Sequence, residues 1–120
     1  MSRRRLEAGE VLFREGDKGT ELYVVESGRL RVFRHDGDRE VELASLGERE
    51  LVGEMAFLGN ARRTATVVAE VDTDVIVVDI ENANEYLLRQ PAWVRAMLET
   101  LARRLGDMNE RAVAASATTG

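Results

Sequence analysis

At 120 residues the chain has room for one packed domain with its own core and not for two. It contains no cysteine, which excludes a disulfide framework, a thiolate metal site and a thiol nucleophile, and fits a reducing compartment. The formal charge is -5, and the basic runs Arg3 to Arg5 and Arg103-Arg104 are short and lack interleaved aromatics, so direct nucleic-acid binding is not expected. Both runs read as solvated surface, one at a terminus and one on a helix face. Leu6-Glu7-Ala8-Gly9-Glu10 follows the first run where a secretory signal would need an apolar stretch. No span of ~20 apolar residues occurs anywhere, and the expected place is the cytoplasm, away from the membrane.

Up to about Asp79 the chain is a succession of short apolar, β-branched runs separated by turn residues. The predicted strands are Val11–Phe13, Leu22–Val25, Leu30–Phe33, Val41–Leu46, Thr64–Ala69 and Asp74–Val78. Gly16-Asp17, Ser27-Gly28, Asp36-Gly37-Asp38, Gly47 and Asp72-Thr73 punctuate them, residues that accept positive φ or bond to the nearby backbone. Such even spacing suggests a barrel or roll. After Asp79 the period changes to three and four, which predicts helices over 82–112. Asn82 or Asn84 would cap a first short helix, and Pro91 suits the first turn of a longer one. Along the longer helix Val94, Leu98, Leu101, Leu105, Met108 and Ala112 draw one apolar seam, with Trp93 and Met97 beside it. The seam has two readings: it packs on the chain's own strands, or the far half of the 94–112 helix pairs with the same helix of a second subunit. The tail, 114–120, is small and polar and is expected to be disordered.

The segment from Val52 to Thr66 carries the chemistry. Gly53 allows the backbone close to a ligand, and Glu54-Met55-Ala56-Phe57-Leu58 is enough for about one helical turn before Gly59-Asn60 ends it. Free N–H groups at such a turn favour an anion. Arg63, entering the next strand, offers a planar fork of donors to an anionic oxygen. A carboxylate at Glu54 would repel that anion unless it accepts hydrogen bonds from a sugar hydroxyl. Phosphate and sugar together point to a nucleotide, although on the residues alone an Arg–Glu pair is more often a plain salt bridge.

Gly53, Glu54, Ala56, Arg63, Thr64, Ala65 and Thr66 resemble, at matching spacing, the phosphate-binding cassette of the cyclic-nucleotide-binding domain family. Upstream, Gly16-Asp17-Lys18-Gly19, Leu22-Tyr23-Val24-Val25 and Gly28 look like that family's first hairpins, so the resemblance runs from about Ala8 to about Leu105. It implies a mainly β fold: a double-stranded β-helix, the jelly-roll or cupin-like β-roll, over 5–79, with a short cassette helix and C-terminal helices, in one domain over 1–113. It also implies that Arg63 and the backbone around Met55 and Ala56 hold the cyclic phosphate, that Glu54 takes the ribose 2′-hydroxyl, and that Gly53 gives the close approach. Thr64 leaves cyclic AMP and cyclic GMP both open, and Ala65 follows it in the motif. Val32, Leu43 and Leu46 match strand positions that line base and sugar, though apolar strand residues are commonly plain core. Two departures stand out: the chain opens almost on a strand where the family usually has a helix, and Arg49-Glu50 occupies a turn that commonly reads Gly-Asp.

The expected role is that of a sensor without catalysis and without a cofactor, its ligand cyclic AMP or cyclic GMP, in which the C-terminal helix moves on binding and alters contact with a downstream protein or a second subunit. A metal-dependent barrel enzyme is the contrasting class. Its facial triad needs two histidines and a carboxylate, and the chain has the single histidine His35, read as a solvated turn residue. A roll that binds no nucleotide and serves as an interaction or dimerisation module is the other alternative.

Overall fold

The computed structural model describes residues 2–54 and 62–104. Among the described residues eight strands precede the first helix, α1 (Ile80–Leu87): β1 (Ser2–Leu6), β2 (Val11–Phe13), β3 (Glu21–Ser27), β4 (Leu30–Asp36), β5 (Arg39–Leu46), β6 (Leu51–Val52), β7 (Thr66–Ala69) and β8 (Thr73–Asp79). They form two four-stranded sheets, ordered β1-β8-β3-β6 and β2-β7-β4-β5, and every neighbouring pair is antiparallel. Consecutive strands alternate between sheets often enough that each turn of chain winds around a shared interior, which is the β-roll the sequence implies. A second helix occupies 92–104 among the described residues.

The core lies between the sheets. Leu6, Tyr23, Val25, Val52, Val75 and Val77 come from one, and Leu12, Leu30, Val32, Val67 and Ala69 from the other, all buried in a single cluster. The period-2 pattern explains it: in β8, Thr73, Val75 and Val77 are buried while Asp74, Ile76 and Val78 are only half-buried. Buried apolar surface at roughly 25 cal/mol per Å² is the main term holding such sheets together.

Two strands were not among those predicted. β1 takes up the basic run, and the roll therefore begins at Ser2, ahead of position 5. Arginine and serine have little strand preference of their own, so the pairing decides: Ser2 to Leu6 align with Val77 to Thr73 of β8. That register sets Arg5 beside Asp74 (3.1 Å) and Asp72 (3.5 Å). Arg3 meets Glu26 at 3.2 Å and Arg4 meets Glu10 at 3.3 Å. β6 is short and edge-placed, paired through Tyr23–Val52 and Val24–Leu51, and has no pattern of its own to announce it. Before it, Arg49 adopts φ 70°, a left-handed conformation that disfavours a side chain, and the turn is fastened by Arg49 N–H to Val25 O (2.8 Å) and Val25 N–H to Glu50 O (2.9 Å). A glycine suits that backbone, which is the physical sense of the Gly-Asp usual at this turn.

The helical end also differs in detail. β8 runs directly into α1, so the helix starts at Ile80, two residues before Asn82, and Asp79 stands in the capping position. Ile80 is buried and its N–H donates to Thr20 O (2.9 Å). In the second helix Val94 and Leu98 are half-buried and Ala102 is buried, but Leu101, assigned to the seam, is 47% exposed, with Trp93 and Met97 also exposed. The chain's own roll therefore leaves part of this helix's apolar surface uncovered. Leu105, Met108, Ala112 and the expected tail lie outside the described residues.

Candidate functional site

The site forms where the end of β6 and the residues before β7 meet the β2–β3 connection. Gly53 leaves β6 at φ 93°, and a side chain there would be obstructed as well as strained: a Cβ would fall 2.8 Å from Glu21 O, 3.1 Å from Leu22 Cα and 3.1 Å from Arg63 Nη1. Only glycine lets these three elements close on one another.

On the other side Arg63 is pinned through its backbone. Its N–H donates to Asp17 O (2.7 Å) and its carbonyl accepts from Gly16 N–H (2.8 Å), while Arg62 bridges Lys18 and donates from Nη1 to Gly16 O (3.0 Å). The Gly16-Asp17 turn read from the sequence is thus also the clamp of the arginine. Arg63 is 8% exposed. Its guanidinium lies over the Phe13 ring, 4.3 Å from the centroid, and 5.8 Å from that of Tyr23. A Cβ on Gly19 would lie 2.7 Å from Arg63 Cζ and Nε, so the β2–β3 connection approaches the guanidinium as closely as backbone can. No hydrogen bond or ion pair among the described residues engages the guanidinium N–H groups.

Glu54 follows Gly53 and is half-buried. Burial pushes its carboxyl up from the usual carboxylate range, against the opposing pull of its own and the Gly53 backbone N–H groups and of the Arg63 charge. Tyr23 donates its hydroxyl to Glu21 Oε1 (3.2 Å), and burial, with the Glu21 charge next, raises its phenol above the ordinary value.

Of the predicted site residues, Gly53, Glu54, Arg63 and the half-buried Thr64 are brought together. Ala65 is buried and belongs to the core cluster, as does Val32, while Leu43 and Leu46 are partly buried against it. Met55 and Ala56, and with them the expected cassette helix beyond Glu54, lie outside the described residues. Sequence reasoning missed Phe13, Gly19 and Tyr23 as site residues. The first and last read as strand hydrophobics, and their rings reach Arg63 from β2 and β3, one in each sheet and both far from it in sequence. His35 lies in β4 and not in the turn: its N–H donates to Glu15 Oε1 (3.2 Å) and its ring stands edge-on to Phe33 at 5.9 Å. Among the described residues no three of His, Asp and Glu are grouped as a metal would need, and no helix is long and apolar enough to cross a membrane.

Residues 3–90 match the model of the cyclic nucleotide-binding domain. The chain belongs to that family. As a cyclic nucleotide-binding domain it is 40% identical over 108 residues to the cyclic AMP receptor protein of Thermus thermophilus, covering 89% of this chain and 50% of the relative. It is 34% identical over 100 residues to the cAMP-dependent protein kinase regulatory subunit of Blastocladiella emersonii, covering 82% and 25%. Among solved structures, the cAMP-bound form of the EAL enzyme Bd1971 superposes with a TM-score of 0.76 at 30% identity, over 87% of this chain and 28% of that one. The domain thus spans at most half the length of these relatives.

Proposed function

We propose that the domain binds cyclic AMP or cyclic GMP and passes the binding on to its C-terminal helices, regulating a partner and catalysing nothing itself. The observation that carries this is Arg63: a buried, backbone-clamped guanidinium whose donors are not engaged by the described residues, set beside Glu54 and a glycine that admits no side chain. Arg63, with the backbone about Met55 and Ala56, takes the cyclic phosphate, and Glu54 accepts from the ribose 2′-hydroxyl. Gly53 lets the ligand approach, while Thr64 and Ala65 border the base. Val32, Leu43 and Leu46 form the wall behind base and sugar. The names of the relatives, a cyclic AMP receptor and a cAMP-dependent regulatory subunit, support the ligand class.

For the coupling, the support is the short segment between β2 and β3. It holds Arg63 through Gly16 and Asp17 and, a few residues on, accepts the Ile80 N–H of α1 through Thr20 O. A ligand that moves this segment differs in affinity for two placements of α1, which is what a population shift requires. Exposed Trp93, Met97 and Leu101 on the second helix favour pairing with a second copy or a downstream protein. The same exposure supports the second reading, a roll that binds no nucleotide and works as an interaction module. Absence of cysteine suits the cytoplasm.

Calorimetric titration with each cyclic nucleotide, repeated on Arg63→Ala, tests the binding. Saturable binding that weakens about tenfold to a hundredfold in the variant is expected from losing charge-assisted bonds. A folded protein that binds neither nucleotide would leave the interaction module as the better reading. Hydrogen exchange over 80–104, slowed or quickened at saturating nucleotide, tests the coupling, and an unchanged pattern refutes it.

A further inference from the structure

We propose that Phe13 is the positioning residue of the anion site: its ring face holds the Arg63 guanidinium in place while taking none of its N–H groups, which the described residues leave to an anionic oxygen. The inference rests on the nucleotide-binding reading above and adds to it a residue outside the cassette.

A guanidinium buried this deeply needs its charge compensated. A carboxylate is the usual answer, but it would occupy the same donors that the ligand needs and would itself repel a phosphate. An aromatic face compensates the charge from below the plane of the fork and takes none of its hydrogens. That is the arrangement here: Phe13 at 4.3 Å is the main platform and Tyr23 at 5.8 Å its continuation, the two rings 5.9 Å apart and inclined by 33°. Gly19 and Gly53 bring backbone up to the guanidinium from two further directions: a Cβ on Gly19 would lie 2.7 Å from Arg63 Cζ and one on Gly53 3.1 Å from Nη1. The carboxylate of Glu21 is engaged by the Tyr23 hydroxyl and so has a partner other than Arg63.

The local backbone is shaped for this. Phe13 ends β2 and pairs with Val67 of β7, and the ladder shifts register between Val11 and Phe13. Such an irregularity re-aims the side chain that follows it. Phe13 is half-buried, packed against the core cluster on one side while its face meets Arg63 on the other. Without the ring, the guanidinium is free to swing toward Glu54 or solvent, and the nucleotide must draw it back, which appears as lost affinity.

The test is calorimetric titration with cyclic AMP and cyclic GMP of the wild type, Arg63→Ala, Phe13→Leu, Phe13→Tyr, and chains carrying phenylalanines of increasing fluorination at position 13, each with a thermal denaturation curve. Leucine removes the face and keeps apolar volume, tyrosine restores the face, and fluorine drains the ring's negative potential at nearly constant shape. Phe13→Leu is expected to weaken binding by about two- to thirtyfold, Phe13→Tyr to recover most of it, and affinity to fall stepwise along the fluorine series at unchanged melting temperature. Affinity that ignores fluorination overturns the proposal, whatever Phe13→Leu does to folding. If Arg63→Ala loses binding while the fluorine series is flat, the ring platform alone fails. A folded wild type that binds neither nucleotide refutes the parent reading and this one with it.

Discussion

Arginine is used in two opposite ways at the two ends of this roll. In β1, Arg3, Arg4 and Arg5 have side chains 76, 44 and 61% exposed, and each finds an acid across the sheet edge or an adjoining turn. At the cassette, Arg63 is 8% exposed, lies on aromatic rings, and has no ion-pair partner among the described residues. The first group shows charge spent on exposed ion pairs along a strand that its backbone ladder with β8 holds in place. The second shows charge seated by shape and backbone bonds, with no ion-paired carboxylate among the described residues. Burial and the identity of the neighbour separate a structural cation from a binding one; residue type does not.

The sharpest way to break this contrast is to fill the buried site. Gly53→Ala places a methyl group 2.8 Å from Glu21 O on a backbone at φ 93°. Strain of this kind costs about 1 to 3 kcal/mol, to be read as a lower midpoint in urea unfolding, and the displaced Arg63 should weaken nucleotide binding in the same variant. An unchanged midpoint would mean that the three elements are not packed as tightly as described. Next in size is Arg63→Lys. It keeps the charge but replaces a planar fork by a point cation that neither stacks nor binds two oxygens at once, so affinity should fall by about tenfold with little change in melting temperature. Lysine binding as well as arginine would reduce Arg63 to a mere positive charge.

Much of this was legible in the sequence, and the parts that were not share a cause. Strands such as Val11–Phe13 and the interior of β3, β4 and β5 declare themselves through their own residues. β1 does not, because Ser2-Arg3-Arg4-Arg5 becomes a strand only by pairing with β8, some seventy positions away. The site divides in the same manner. Gly53, Glu54 and Arg63 stand within a short motif whose spacing can be read directly. Phe13, Gly19 and Tyr23 serve Arg63 from strands and a loop far back in the chain, and in sequence they look like core and turn. The helix start at Ile80 was missed for the same reason, since it is fixed by the Thr20 carbonyl and by burial of Ile80.

Glu54 gives a smaller effect with a definite sign. Burial raises its carboxyl in the folded chain, so its contribution to stability is fully present below the unfolded carboxylate range and is lost as pH rises through the higher folded value. Glu54→Gln, which never ionises, should therefore make the free domain more stable than the wild type at neutral pH, with the difference vanishing in acid. Thermal denaturation at a series of pH values reads this, and a variant less stable at neutral pH contradicts it. Binding should move the other way, since an amide oxygen is a weaker acceptor for a sugar hydroxyl than a carboxylate.

Least affected should be the exposed arginines, and here the comparison is most exposed to refutation. Arg5 touches both Asp74 and Asp72, and Ser27 Oγ adds a hydrogen bond to Asp74 at 3.1 Å, so it is the best connected of the basic run. Even so, its side chain is mostly in water, where such pairs contribute about 0 to 1 kcal/mol and are screened by salt. Arg5→Ala should lower the melting temperature by only a few degrees, less in 0.5 M salt than in 50 mM, and leave nucleotide affinity untouched, because the backbone pairing of Arg5 with Asp74 in β8 does not need the side chain. A loss of several kcal/mol would show that β1 is held by its charges and not by its ladder. A loss of affinity would mean that the two uses of arginine in this roll are not separate after all, but joined through β8 and β3.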